Sequence, residues 1–137
     1  MTLFAEVRHL SSAKAPLVLL HGFGGTGAAW EPVLSRLDPD LPLVVYDLPG
    51  HGRSDPWLGT EDLHSVATRM ATALADPIGG PLDLLGPSFG ATLALRLALE
   101  RPELVQRLIL IEPVLFAAAQ AVNAPEFLAF AAEYQAV

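Results

Sequence analysis

Four short apolar runs govern what this chain can fold into: residues 16–20 (PLVLL), 41–48 (LPLVVYDL), 81–85 (PLDLL) and 105–112 (VQRLILIE). Each is too short for a packed helix and lacks a sustained apolar–polar alternation, so each predicts a strand buried on both faces. Helical patterns separate them. Residues 28–37 carry Trp30, Val33, Leu34 and Leu37 at helical spacing, and 60–75 place Leu63, Val66, Ala67, Met70 and Leu74 on one face behind Thr60 as N-cap. Residues 88–100 are apolar nearly all round and stop before Pro102, which predicts a helix packed tightly on a sheet. Residues 4–10 alternate like a half-exposed strand, and the alanine-rich segment from Val114 onward reads as helical. Strand and helix in alternation specify an α/β fold, a mostly parallel sheet with helices on both faces.

Composition narrows the functional classes. The chain has 137 residues, 52% hydrophobic and 17% charged, enough to bury a real core in one domain. A formal net charge of −7, with eight scattered Lys and Arg, argues against nucleic acid as a partner. There are no cysteines, so disulfides, thiolate metal sites and cysteine nucleophiles are excluded. The first ten residues do not read as a signal peptide, and no apolar run approaches the ~18 residues of a membrane span. A soluble, cytoplasmic protein without membrane contact is the expectation.

Two glycine-rich loops compete to define the chemistry. In the first, Gly22-x-Gly24-x-x-Gly27 follows a strand and precedes a helix, and Asp47 closes the next strand. This is the spacing of a dinucleotide fingerprint with its ribose-binding carboxylate. In the second, Gly86-Pro87-Ser88-Phe89-Gly90 matches G-x-S-x-G, again between strand and helix, as a nucleophile elbow requires. A sharp strand-to-helix turn aims a serine hydroxyl out of the sheet, and flanking glycines let neighbouring backbone close in. Amides at the new helix's N-terminus then face developing negative charge.

From about Pro16 to Pro113 the chain resembles the α/β-hydrolase superfamily, with three motifs in that family's order. VLLHGFGG is similar to its oxyanion loop, VVYDLPGHGRSD to its next strand and Asp-x-x-Gly-x-Gly-x-Ser turn, and LLGPSFGA to its elbow. The dinucleotide reading accounts only for the first. The resemblance implies residues 1–113 as the N-terminal part of a hydrolase core, ending before that fold's late strands. Residues 114–137 would be the helical start of a lid.

It also implies roles. Ser88 is the expected nucleophile, against the plainer reading of a helix N-cap. The backbone N–H groups of Phe89 and Phe23 are the expected oxyanion donors, with Gly22, Gly24 and Trp30 near the substrate; Trp30 fits a core position equally well. His21 is expected to support the oxyanion loop through hydrogen bonds, and His51 to belong to a tight turn pinned by Asp47 and Arg53. His9 and His64 are expected on solvated surfaces. Serine at residue 88 argues against the dehalogenase branch, which places aspartate there, and Pro87 departs from the polar or aromatic residue of many relatives.

Half of the triad is missing. In the family the order is Ser, then Asp or Glu, then His, yet all four histidines (9, 21, 51 and 64) precede Ser88. Glu112, at the end of the fourth run, is the candidate acid, against a structural role beside Pro113. Three explanations stand open: the N-terminal part of a longer hydrolase, a chain completed in trans, or a degenerate fold that only binds. In the first two, an ester, thioester or related small acyl substrate is hydrolysed through an acyl-enzyme, with the base outside these residues and no metal or organic cofactor. A second copy or a complementing chain is expected to cover the sheet edge left open near Ile109.

Overall fold

The computed structural model describes residues 2–10, 14–57, 69, 70, 73, 78, 80–114, 122 and 125. Its centre is a five-stranded sheet of β1 (Ala5–Arg8), β2 (Leu17–Leu20), β3 (Leu43–Tyr46), β4 (Leu82–Pro87) and β5 (Val105–Ile111), in the spatial order β1-β3-β2-β4-β5. All neighbours run parallel except β1, which pairs antiparallel with β3, Ala5 opposite Tyr46. The predicted mostly parallel α/β sheet is therefore present. Its order doubles back at β2, so the chain leaves the C-terminal ends of β2 and β4 side by side. In open parallel sheets that is where a ligand crevice opens.

The alternation of side chains divides the core between the two faces. Val18, Leu20, Val44, Tyr46, Leu82 and Leu84 pack with Leu93, Ala94 and Leu97 of helix α2 (Phe89–Glu100). On the opposite face Leu19, Leu43 and Val45 pack with Trp30 and Leu34.

The segment expected as one helix over 28–37 is instead a 3-10 turn, Gly27–Trp30, followed by a single α-turn, α1 (Glu31–Leu34). Pro32 explains the break. Its ring would meet the carbonyl four residues back in a continuous helix, yet it suits a helix's first turn.

A second correction concerns β5. Expected as buried on both faces, it buries only alternate residues: Leu108 and Leu110 join the core beside α2, while Ile109 and Ile111 are 45% and 46% exposed. Among the described residues, helical cover on that face reaches β2 and β3 and stops short of β5. Asp83 of β4 and Arg107 of β5 pair there, with Nη2 to Oδ2 at 2.8 Å and Nε to Oδ1 at 3.1 Å. The helix expected over 60–75 and the lid over 114–137, with His64, lie largely outside the described residues; Met70 of the former is fully buried. No helix among the described residues is long and apolar enough to cross a membrane.

Candidate active site

Where β4 ends, the chain turns into α2 through Ser88, at φ 48° and ψ −117°. A positive φ is costly for a residue with a Cβ, by about 1–3 kcal/mol, and persists only where the surroundings enforce it. Here they do. The Ser88 amide donates to the Ile111 carbonyl at 2.8 Å, and the Ser88 carbonyl accepts from the Thr92 amide at 3.1 Å. The two flanking glycines make the turn sterically feasible. A Cβ on Gly86 would stand 2.4 Å from the Gly90 carbonyl carbon, and one on Gly90 would stand 2.5 Å from the Leu20 carbonyl oxygen. Those clashes are with backbone, so side-chain motion cannot relieve them. The G-x-S-x-G spacing is thus a packing requirement of this turn.

The loop after β2 lies against the elbow. A Cβ built on Gly22 would fall 3.7 Å from the Pro87 carbonyl oxygen and 3.8 Å from the Ser88 Cβ. His21, at the base of this loop, is 1% exposed. Its Nε2 accepts the Leu48 amide at 2.9 Å, so the ring proton sits on Nδ1, which donates to the Gly22 carbonyl at 2.7 Å. Burial, and to a smaller extent the nearby His51, lower its pKa, while the bond to Gly22 works the other way. The Gly25 amide also reaches the Gly22 carbonyl, at 3.1 Å. With that oxygen held from two sides, the plane of the Gly22–Phe23 peptide is fixed, and the Phe23 N–H points opposite to the held carbonyl. The expected supporting role of His21 is the one its bonds describe.

The turn after β3 braces the same loop. Asp47 is 2% exposed and accepts the Gly27 amide on Oδ1 at 2.7 Å. Its Oδ2 accepts the Arg53 amide at 3.0 Å and the Arg53 Nε at 3.3 Å. Burial pushes this carboxyl upward. The amides of Arg53 and Gly27 and the Arg53 guanidinium outweigh it and hold the pKa below the ordinary value. A Cβ on Gly52 would lie 2.4 Å from Asp47 Oδ2, and one on Gly27 would lie 3.0 Å from Oδ1. Both carboxylate oxygens are therefore engaged within the chain, and Asp47 is not presented to a ribose. The dinucleotide reading fails on this point.

Two features of this brace had no clear signal in the sequence. The Ser54 hydroxyl donates to the Asp47 carbonyl and accepts the Phe4 amide at 2.8 Å, tying the turn to the N-terminal strand. The Arg53 guanidinium stacks 3.5 Å over the Phe4 ring.

The remaining candidates separate. Phe23 is 73% exposed and meets Phe89 edge-on, ring centroids 6.1 Å apart, so the two donor candidates share one rim beside Ser88. Gly22 lies within this rim, but the Gly24 amide already donates to His51 Nε2 at 3.0 Å. Trp30 is 7% exposed and packs among Leu19, Leu34, Leu43 and Val45. It fills the core under the 3-10 turn, the second of the two readings its place in the sequence allowed. Glu112 is exposed and directly follows Ile111, whose carbonyl anchors Ser88, and it takes a positive φ of 47°. It stands near the elbow without a hydrogen bond to its carboxylate among the described residues. His9 is exposed, as expected. Among the described residues no cluster of His, Asp and Glu is arranged to hold a metal ion.

Comparison with known proteins places this geometry. The chain is 34% identical over 106 residues to Lipase LipV of Mycobacterium tuberculosis, covering 77% of this chain and 40% of that protein. It is 38% identical over 109 residues to 1-acylglycerol-3-phosphate O-acyltransferase ABHD5 of Rattus norvegicus, covering 77% of this chain and 31% of the relative. Among solved structures, the esterase RhEst1 from Rhodococcus sp. ECU1013 superposes with a TM-score of 0.72 at 29% identity, over 82% of this chain and 42% of that one. The chain thus spans well under half the length of these relatives. The sequence profile of the alpha/beta hydrolase fold matches residues 15–136, and with the elbow, the glycine loop and the parallel sheet in register, the chain belongs to the alpha/beta hydrolase family.

Proposed function

We propose that this chain carries the nucleophile and oxyanion half of a serine-dependent acyl-transfer site, acting on an ester, thioester or related small acyl substrate. The observation that carries the reading is the enforced positive φ of Ser88 at a strand-to-helix turn, with Gly22 so placed that a Cβ there would come within 3.8 Å of the Ser88 Cβ. The lipase, acyltransferase and esterase relatives, all named for acyl chemistry, support that substrate class.

In this reading a base takes the Ser88 proton as Oγ bonds to the acyl carbon. The carbonyl π electrons move onto oxygen, and the Phe23 and Phe89 amides hold that oxyanion. Collapse expels the alcohol or thiol, which receives the proton from the base and leaves the acyl group on Ser88. Water then repeats the sequence, releasing the acid and restoring the hydroxyl. No metal or organic cofactor enters these steps.

The base is a histidine other than the four in this chain. His21 and His51, in the loops beside the elbow, have both ring nitrogens engaged by backbone groups. Glu112 is the candidate acid by its place beside the elbow. A further segment or a complementing chain supplies the base and covers the exposed face of β5.

The engagement of both histidines also favours a second reading, an acyl-ligand binding protein without turnover. Intact-mass analysis after exposure to a fluorophosphonate separates the two. One adduct on the wild type, absent in Ser88→Ala, supports the hydrolase reading. A folded wild type that takes no adduct leaves the binding reading.

A further inference from the structure

The turn after β3 reaches the oxyanion-side loop at a second place, through His51. Its Nε2 accepts the Gly24 amide at 3.0 Å, so its proton sits on Nδ1, which donates to the Pro49 carbonyl at 2.8 Å. The ring lies edge-on to His21, with centroids 5.1 Å apart, and to Phe23, at 5.5 Å. Loop residues on both sides of Phe23 are therefore held by imidazoles. His21 holds the Gly22 carbonyl before it, and His51 holds the Gly24 amide after it.

We propose that His51 is a positioning residue for this loop: its neutral ring holds the Gly24 amide and releases it when the ring takes up a proton. A protonated Nε2 is a donor facing a donor, and that hydrogen bond cannot survive. Among the described residues, the titratable and charged groups around the ring are His21, packed edge-on, and Asp47 and Arg53 in its own turn. Asp47 and Arg53 form an ion pair with each other at 3.3 Å. Both rings are engaged at both nitrogens, but His21 is fully buried and His51 only partly so, and of the two His51 is the more open to solvent. The Phe23–Gly24 peptide then loses its anchor while the Gly22–Phe23 peptide keeps its own. That the loop serves an oxyanion rests on the proposed function; that His51 holds Gly24 does not.

The test uses the amide spectrum of the whole chain as wild type, His51→Gln and His51→Phe. Glutamine keeps an acceptor for the Gly24 amide, whereas phenylalanine keeps only the ring packing against Phe23. In the wild type the Gly24 amide resonance is expected to shift in step with protonation of the His51 ring, followed by the ring's own resonances in the same sample. Its exchange with solvent should quicken at least tenfold, beyond the intrinsic pH effect, as the bond opens. In His51→Gln the amide should stay protected without that titration, and in His51→Phe it should be unprotected throughout.

A wild-type Gly24 amide indifferent to the His51 titration overturns the proposal. So does protection lost in His51→Gln yet kept in His51→Phe, which would assign the hold to the shape of the ring. Where the wild type also reacts with a fluorophosphonate, His51→Phe should react about tenfold more slowly and His51→Gln within about threefold, less than deletion of an oxyanion donor would cost. A wild type that titrates as described but never reacts sinks the proposed function and leaves the His51 hold standing.

Discussion

The turn after β3 and the turn after β4 open at the same end of the sheet and are built on opposite principles. The β3 turn puts its positive φ angles on glycine, at Gly50 (74°) and Gly52 (53°), and satisfies its backbone with side chains: Asp47, His51 and Ser54 each bond main-chain groups. The β4 turn puts its positive φ on Ser88, where a side chain makes it expensive, and holds it chiefly with main-chain hydrogen bonds, with the Thr92 hydroxyl adding a longer one to the Ser88 carbonyl at 3.4 Å. One turn is relaxed and heavily braced. The other is strained and carries the hydroxyl. Strain sits where the chemistry is proposed, and the polar bracing sits next to it, where it can hold the loop across the cleft.

Removing the brace should do the most damage. Asp47→Ala leaves the buried Gly27 amide and the Arg53 amide without acceptors, and is expected to cost about 3 kcal/mol in urea unfolding. A loss under about 1 kcal/mol would mean that water replaces the carboxylate and the turn is not braced as described.

Crowding the strained turn should come next. Gly90→Ala drives a Cβ into the Leu20 and His21 carbonyls and is expected to cost about 2 kcal/mol, with loss of any Ser88 labelling.

Relieving the strain reverses the sign. Ser88→Gly should be more stable than Ser88→Ala by about 1 kcal/mol, although glycine ordinarily destabilises by a similar amount. Equal stabilities would show that the elbow stores nothing and would remove the contrast between the turns.

The smallest expected effect is one of pH. Burial holds the folded-state pKa of His21 below its ordinary value of 6.5. Between the two values the unfolded chain binds a proton that the folded chain refuses, so stability falls as pH drops below about 6.5 and is fully present above it. The urea midpoint should therefore decline from pH 7.5 to pH 5.5 in the wild type, and less so in His21→Gln.

The sequence made the sheet and the elbow legible for different reasons. Runs such as PLVLL must be buried wherever they fall, so their strand character follows from composition. The elbow's glycines are demanded by backbone contacts with Gly90 and Leu20, which leaves a fixed spacing in the chain. The pairing of Asp47 with Arg53 was readable because opposite charges in a short turn have few other partners.

Other features left no such trace. The Ser54 link to Phe4 spans 50 residues and depends on how β1 lies against β3. The half-buried state of β5 was misjudged because apolar content reports what a strand prefers, not what the described residues place over it. Trp30 was equally compatible with core and cleft, and its place at the end of the 3-10 turn, packed on Leu19, Leu43 and Val45, is a tertiary fact that spacing alone does not carry. The proposed base rests on a plainer trace: all four histidines precede Ser88, whereas the family's order puts that residue after the serine.

The tautomers of His21 and His51 carry one more consequence. Two imidazoles with centroids 5.1 Å apart beside a carboxylate look like the start of a zinc or copper site. Coordination needs a free nitrogen lone pair. Here each Nδ1 is protonated and each Nε2 lone pair is already directed at an amide hydrogen. A divalent cation would have to dismantle the loop to bind there, so the same bonds that set the loop also keep adventitious metal away from the serine.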